Sequence, residues 1–254
     1  MTTLTLLARV HGVTQLNQIG DALKLSLEGL DVDAEILGTV ADRWVQIALS
    51  GEDETIATNY IAKEIGFCPT SFVNVKKSSI LKGYVTSFEK SKEGLIVDVG
   101  VFQPKTVHAT VPLSHLQVQL VGGRKVALRK MGELFGFCGN LPLNIKIIRV
   151  NEEESGIEAE LSAQQVEKYE AWQEALLDKL IVLGVALRQV EDTLEYAQLN
   201  RDIISVESLG LFEHALTCKL GTDAAGLIPK IGRLLKTAKF AVFNPRKIRT
   251  FLES

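Results

Sequence analysis

Two groups of basic residues carry the spacing that could bind a polyanion. Residues 121–132 read Val-Gly-Gly-Arg-Lys-Val-Ala-Leu-Arg-Lys-Met-Gly, with Arg124, Lys125, Arg129 and Lys130 and no acid among them. Side chains four apart are neighbours on a helix, and a glycine-flanked basic segment can lie along phosphates. Each phosphate contact adds affinity and salt dependence but no sequence choice. The bland alternative is a solvated helix face packed through Val126, Leu128 and Leu134. The second group is Lys230, Arg233 and Lys236, three apart on one helical face with Phe240 and Phe243 nearby. It reads either as a nucleic-acid surface or as a solvated face over a phenylalanine core.

Net charge is −3, from 28 Lys plus Arg against 31 Asp plus Glu. That excludes a globally basic coat protein but not a local patch. Charge is uneven along the chain: −6 over residues 1–75, +8 over 76–149, −11 over 150–218 and +6 over 219–254. Such alternation marks a nucleic-acid-facing side or domains that attract one another.

Other chemistry is sparse. There is no GxxxxGK phosphate loop, no glycine-rich dinucleotide fingerprint and no Gly-x-Ser-x-Gly elbow. His11, His108, His115 and His214 are not at metal-ligand spacing with cysteine or acid. Cys68, Cys138 and Cys218 have no paired spacing, which points to a reducing, cytoplasmic compartment. No apolar run of about 18 residues exists to span a membrane, and the N-terminus lacks signal-peptide features. No catalytic residue, cofactor or metal is expected; an enzyme with a small-molecule site between domains is the minority reading.

The elements that must position these residues follow from periodicity. Leu4–Val10, Val32–Ile36, Trp44–Leu49 and Phe72–Val75 read as strands, with helices over 13–30 and from Glu52 to Gly66. That βαββαβ order predicts a ferredoxin-like α/β domain over residues 1–76. From Ile80 the pattern changes to short strands: 81–86, 94–100, 109–116, the alternating 143–150 and the return 157–161. Five strands with one long connection is an OB-fold layout, over 77–162 with the basic insertion near 121–136. Residues 163–254 read as a helix running from Ser162 to Gly184, then strands at 203–206 and 212–220, a helix from Thr222, and a last strand 240–243 stopped by Asn244-Pro245. This C-terminal α/β domain echoes the N-terminal one in its order of strand, Leu-Gly, strand, capped helix and Ile-Gly. The predicted class is α+β.

The segments LKGYVTSF, GLIVDVG, VPLSHL and IKIIRVNEEESGIEAELS, in that order over residues 79–162, make the middle of the chain similar to the S-one domain, an OB-type RNA-binding module. The resemblance implies RNA or ribosome binding, with His108 answering the family's third-strand histidine. The chain departs from the pattern on Gly94–Val99, which lacks the family's aromatics; Tyr84, Phe88 and Phe102 are the aromatics nearby. The whole chain also resembles an archaeal family with no assigned activity. The expectation is a non-catalytic RNA-binding protein linked to translation or RNA metabolism, using Arg124, Lys125, Arg129, Lys130, Lys230, Arg233, Lys236 and His108. The alternative is a protein-interaction adaptor whose barrel has lost RNA. If the two basic groups share a surface, RNA is favoured; if they lie on opposite faces, the adaptor is.

Overall fold

The structure, a computed structural model, describes residues 1–41, 43–86, 93–151 and 156–253. Phe88 and the acidic turn at 152–155 lie outside the described residues. The chain divides into two compact units, Met1–Asn74 with Gly100–Thr106, and Val75–Val99 with Val107–Ser254.

The first unit contains β1 (Thr2–Arg9), α1 (Val13–Ser26), β2 (Val32–Val40), β3 (Trp44–Gly51) and α2 (Glu54–Glu64). β3 lies between β1 and β2, antiparallel to both, with Leu4 opposite Ile47 and Ala34 opposite Leu49. Ile19 and Leu23 of α1 and Ala57 and Ile61 of α2 are buried, one helical turn apart in each pair. After α2 the chain returns along the far edge of β1. Leu7 N donates to Gly66 O and Cys68 N to Thr5 O, both at 2.9 Å.

The strand expected over Phe72–Val75 is absent. A two-residue β4 (Thr70–Ser71) precedes a 3-10 turn, Phe72–Asn74. The turn is held back onto Pro69, which offers no N–H to a ladder ahead of β4. The Pro69 carbonyl is also taken locally, by Ser71 N at 2.7 Å and Asn74 Nδ2 at 2.8 Å.

The second unit begins with a barrel. Its strands are β5 (Ile80–Val85), β6 (Gly94–Gln103, whose last residues belong to the first unit), β7 (Val107–Pro112), β8 (Pro142–Asn151) and β9 (Gly156–Leu161). They run in the order β6-β5-β8-β9-β7, and a β6–β7 pairing closes the ring. Alternation on β8 buries Leu143, Ile145 and Ile147 and leaves Asn144 and Lys146 toward solvent. The strand expected over 109–116 ends at Pro112, which cannot donate to a continuing ladder. α3 (Leu113–Val121) starts there and buries Leu116 and Leu120; α4 (Leu128–Phe135) follows.

α5 (Ala163–Glu174) is capped by Ser162, whose Oγ accepts from Gln165 N at 3.2 Å. The helix expected to continue to Gly184 stops, because Leu176 adopts a left-handed φ of +54°. The chain then forms β10 (Lys179–Leu183), buried along its whole length. α6 (Leu187–Tyr196), β11 (Ile203–Ser208), β12 (Glu213–Cys218), α7 (Ala224–Gly232), β13 (Lys239–Phe243) and α8 (Pro245–Glu253) complete the chain. The antiparallel sheet has the order β11-β12-β10-β13. Its succession β10-α6-β11-β12-α7-β13 is that of β1-α1-β2-β3-α2 with the Gly66–Cys68 return. In both sheets the third strand lies between the first and the second.

The sheet is covered on both faces. Leu180, Val182 and Leu216 lie under α6 and α7, against Val190, Leu194, Leu227 and Ile231. Side chains alternate between faces, so Ile181 and Phe243 point the other way. There Phe243 meets an aromatic cluster: its ring is 5.9 Å from Tyr169, 5.2 Å from Trp172 and 6.3 Å from Phe135. Such ring pairs add to area burial, and they hold α4 and α5 on this face.

Candidate nucleic-acid interface

α4 reads LRKMGELF. Leu128, Met131, Leu134 and Phe135 turn inward, and that spacing forces Arg129, Lys130 and Glu133 outward. Gly136 ends the helix at φ +71°, a conformation that favours glycine. A Cβ there would stand 3.1 Å from Ile181 Cδ1 and 3.4 Å from Val242 O, so the missing side chain lets α4 close onto β13.

α8 is the element of the cleft that the sequence reading does not include. Asn244 Oδ1 accepts from Lys247 N at 2.9 Å, and Asn244 Nδ2 donates to Asp178 Oδ2 at 3.2 Å. Proline at the first helical position costs no hydrogen bond, so Asn-Pro starts a helix here rather than merely stopping a strand. Buried Ile248 fixes the helix, and this leaves Arg246 and Lys247 exposed. The N-cap, Pro245 at N1 and the apolar Ile248, Phe251 and Leu252 were the available signal.

α4, the edge strand β13 and α8 enclose an open cleft of about 1690 Å³. Arg129 and Lys130 line it from one helix, Arg246 and Lys247 from the other, and Ala241 and Val242 form part of its floor. The one carboxylate lining it among the described residues is Glu133. Glu133 Oε1 stands 3.6 Å from Arg129 Nε, and its Oε2 stands 3.4 Å from Lys130 Nζ. Four cations against one anion, with the first turns of two helices opening on the same space, give the cleft a positive potential.

The expected site residues separate. Arg129 and Lys130 line the cleft. Arg124 does not: its guanidinium donates to the backbone carbonyls of Phe251, at 2.9 Å, and Leu252. Lys125 is exposed in the segment between α3 and α4, outside the cleft lining. Lys230 of α7, with Arg233 and Lys236 just after it, is exposed on a helix that covers the sheet face opposite α4. The two basic groups therefore do not form one patch. His108 sits half-buried on β7, its Nε2 buried without a hydrogen-bond partner among the described residues, and it is not among the cleft residues.

Two of the three thiols are poor nucleophiles. Burial pushes Cys138 up to about 11, and burial together with Asp178, Asp223 and Asp202 pushes Cys218 up to about 11. No helix among the described residues is long and apolar enough to cross a membrane.

Three models of one family match the chain in order. They are the DUF2110 N-terminal domain at residues 4–71, the DUF2110 central domain at 75–173 and the DUF2110 C-terminal domain at 177–243. No curated protein matches. Among solved structures, the uncharacterized protein MJ1198 from Methanocaldococcus jannaschii is 16% identical at a TM-score of 0.24, covering 35% of this chain and 95% of that one. The a/eIF2alpha–aDim2p–rRNA complex from Pyrococcus horikoshii OT3 is 12% identical at 0.25, covering 49% and 60%. The intact alpha subunit of aIF2 from Pyrococcus abyssi is 10% identical at 0.27, covering 66% and 96%. At TM-scores this low the likeness is partial.

Proposed function

We propose that this chain, which belongs to the DUF2110 family, is a cytoplasmic RNA-binding protein that acts by binding rather than by catalysis. One observation carries the reading: Arg129, Lys130, Arg246 and Lys247, from two helices more than a hundred residues apart in sequence, line one cleft. The element and strand orders support reading the two terminal α/β domains as ferredoxin-like and the barrel as an S-one-type OB-fold. β6 offers no aromatic over Gly94–Val99, the stretch where the S-one family carries its stacking platform, worth about 1–3 kcal/mol per base in single-strand binders. Binding therefore falls to phosphates in the cleft. α4 and α8 pack against each other and line the cleft together, and a single strand is the occupant the reading is tested with.

Four phosphate contacts to a single strand give a slope of log K on log salt of about −2.8. Affinity for oligouridylate then drops about 50-fold between 50 and 200 mM salt. The variant with Arg129, Lys130, Arg246 and Lys247 all changed to Ala loses most affinity and flattens the slope. No binding at low salt, or a variant indistinguishable from the parent, sinks the reading.

The adaptor reading is favoured by the placement of Lys230, Arg233 and Lys236 on the opposite sheet face. Its occupant of the cleft would be an acidic protein segment. Binding of polyglutamate, with no binding of RNA, is the outcome that selects it.

A further inference from the structure

We propose that Arg124 is a positioning residue that fastens α8 so that Arg246 and Lys247 stand across the cleft from Arg129 and Lys130. The inference rests on the RNA reading and concerns how that site is held open and in register.

The last carbonyls of a helix have no partner within it and form its partly negative end. In α8 two of them, of Phe251 and Leu252, accept hydrogen bonds from the Arg124 guanidinium. The planar fork of arginine suits two acceptors at once. Arg124 lies in the six-residue segment between α3 and α4, the segment that leads directly into Arg129 and Lys130. One guanidinium therefore joins the backbone approaching one wall of the cleft to the far end of the other wall. The near end of α8 is fixed separately, by Asn244 on Asp178, and its middle by buried Ile248. Arg124 itself does not line the cleft. Its charge is directed to carbonyl oxygens, so it is not available as a fifth phosphate contact.

A positioning role and a contact role leave different marks. Removing a phosphate contact from single-strand binding makes the salt slope shallower by about 0.7. Removing a positioning residue weakens binding while the number of released counterions stays the same.

The test uses the full chain with Arg124→Ala and Arg124→Lys, oligouridylate titrations across a salt series, and amide hydrogen exchange of α8. Arg124→Ala is expected to weaken binding by about fivefold at an unchanged slope, with faster exchange over 248–253. Arg124→Lys, which can still donate to one carbonyl, restores part of both. A slope shallower by about 0.7 with α8 exchange unaltered would make Arg124 a phosphate contact and overturn the proposal. If the parent chain binds no RNA, the functional reading fails; the exchange measurement still decides the clamp, which fails if Arg124→Ala leaves α8 protected as before.

Discussion

Changing Glu133 to Gln should tighten RNA binding. The Glu133 carboxylate faces two of the four cleft cations, at 3.6 Å from Arg129 Nε and 3.4 Å from Lys130 Nζ. The side chains are 54%, 91% and 49% exposed respectively, so the pairs sit in high dielectric. Exposed pairs three and four apart on a helix are worth about 0.3–0.5 kcal/mol each. An entering strand must compete with both, so neutralising the carboxylate returns about 0.6–1 kcal/mol, or about three- to fivefold in Kd. α4 loses the same small amount of support, and the folded state is slightly destabilised. The assay is fluorescence anisotropy of a labelled oligouridylate at 50 and 200 mM salt. The gain should shrink at the higher salt, because salt weakens interactions between exposed charges. A gain in affinity does not arise from misfolding, which gives this variant its value. Unchanged or weaker binding at 50 mM, with a native circular-dichroism spectrum, would show that Arg129 and Lys130 do not meet RNA.

Gly136→Ala places a Cβ at φ +71° against Ile181 and Val242, and should cost about 1–2 kcal/mol in urea unfolding; a stability equal to the parent's contradicts the close approach of α4 to β13. His214 pairs through Nε2 with Val185 O at 2.9 Å and through Nδ1 with Ser208 Oγ at 3.4 Å. These partners suit a neutral ring whose Nε2–H donates to the carbonyl and whose Nδ1 accepts from the hydroxyl. Burial holds its pKa below the usual 6.5, against the opposing pull of the Val185 bond. The unfolded chain therefore binds the proton first: the stabilising contribution is complete above pH 6.5 and is lost as pH falls from there through the folded value. The slope is at most about 1.4 kcal/mol per pH unit, and His214→Gln should remove it; a pH dependence identical in the variant refutes the assignment.

How far the fold was legible depended on what each segment buries. The alternating 143–150 and the Gly-bounded 94–100 have one face in the barrel and one toward solvent, so period two is visible in them. β10 is apolar on both faces because helices cover its sheet from both sides. Periodicity cannot tell such a strand from a buried helix, and Leu180 and Leu183 extend the preceding helical stripe by coincidence. α6 carries Leu187, Val190 and Leu194 at spacings of three and four, a helical pattern that stands in the sequence but does not enter the reading of 184–202. At 244–245 Asn-Pro ends a strand and also caps a helix, and only the second role exposes α8.

The site was legible in half. Arg129 and Lys130 announce themselves by local spacing. Their partners across the cleft do not, because Arg246 and Lys247 reach them only through the packing of β13 and α8 beside α4. Conversely, Lys230, Arg233 and Lys236 share a local spacing with no tertiary partner in the cleft. Arg124 looks identical to its neighbours as a charge, and only the carbonyls opposite it distinguish anchor from contact.

Lysine footprinting tests the central claim most directly. The chain is acylated at 50 mM salt with and without saturating oligouridylate, and modification is read lysine by lysine by mass spectrometry. The cleft account predicts strong protection of Lys130 and Lys247, with Lys125, Lys230 and Lys236 modified equally in both samples. Protection of Lys230 and Lys236, with Lys130 and Lys247 still reactive, would move RNA to the opposite face of the C-terminal sheet and contradict it.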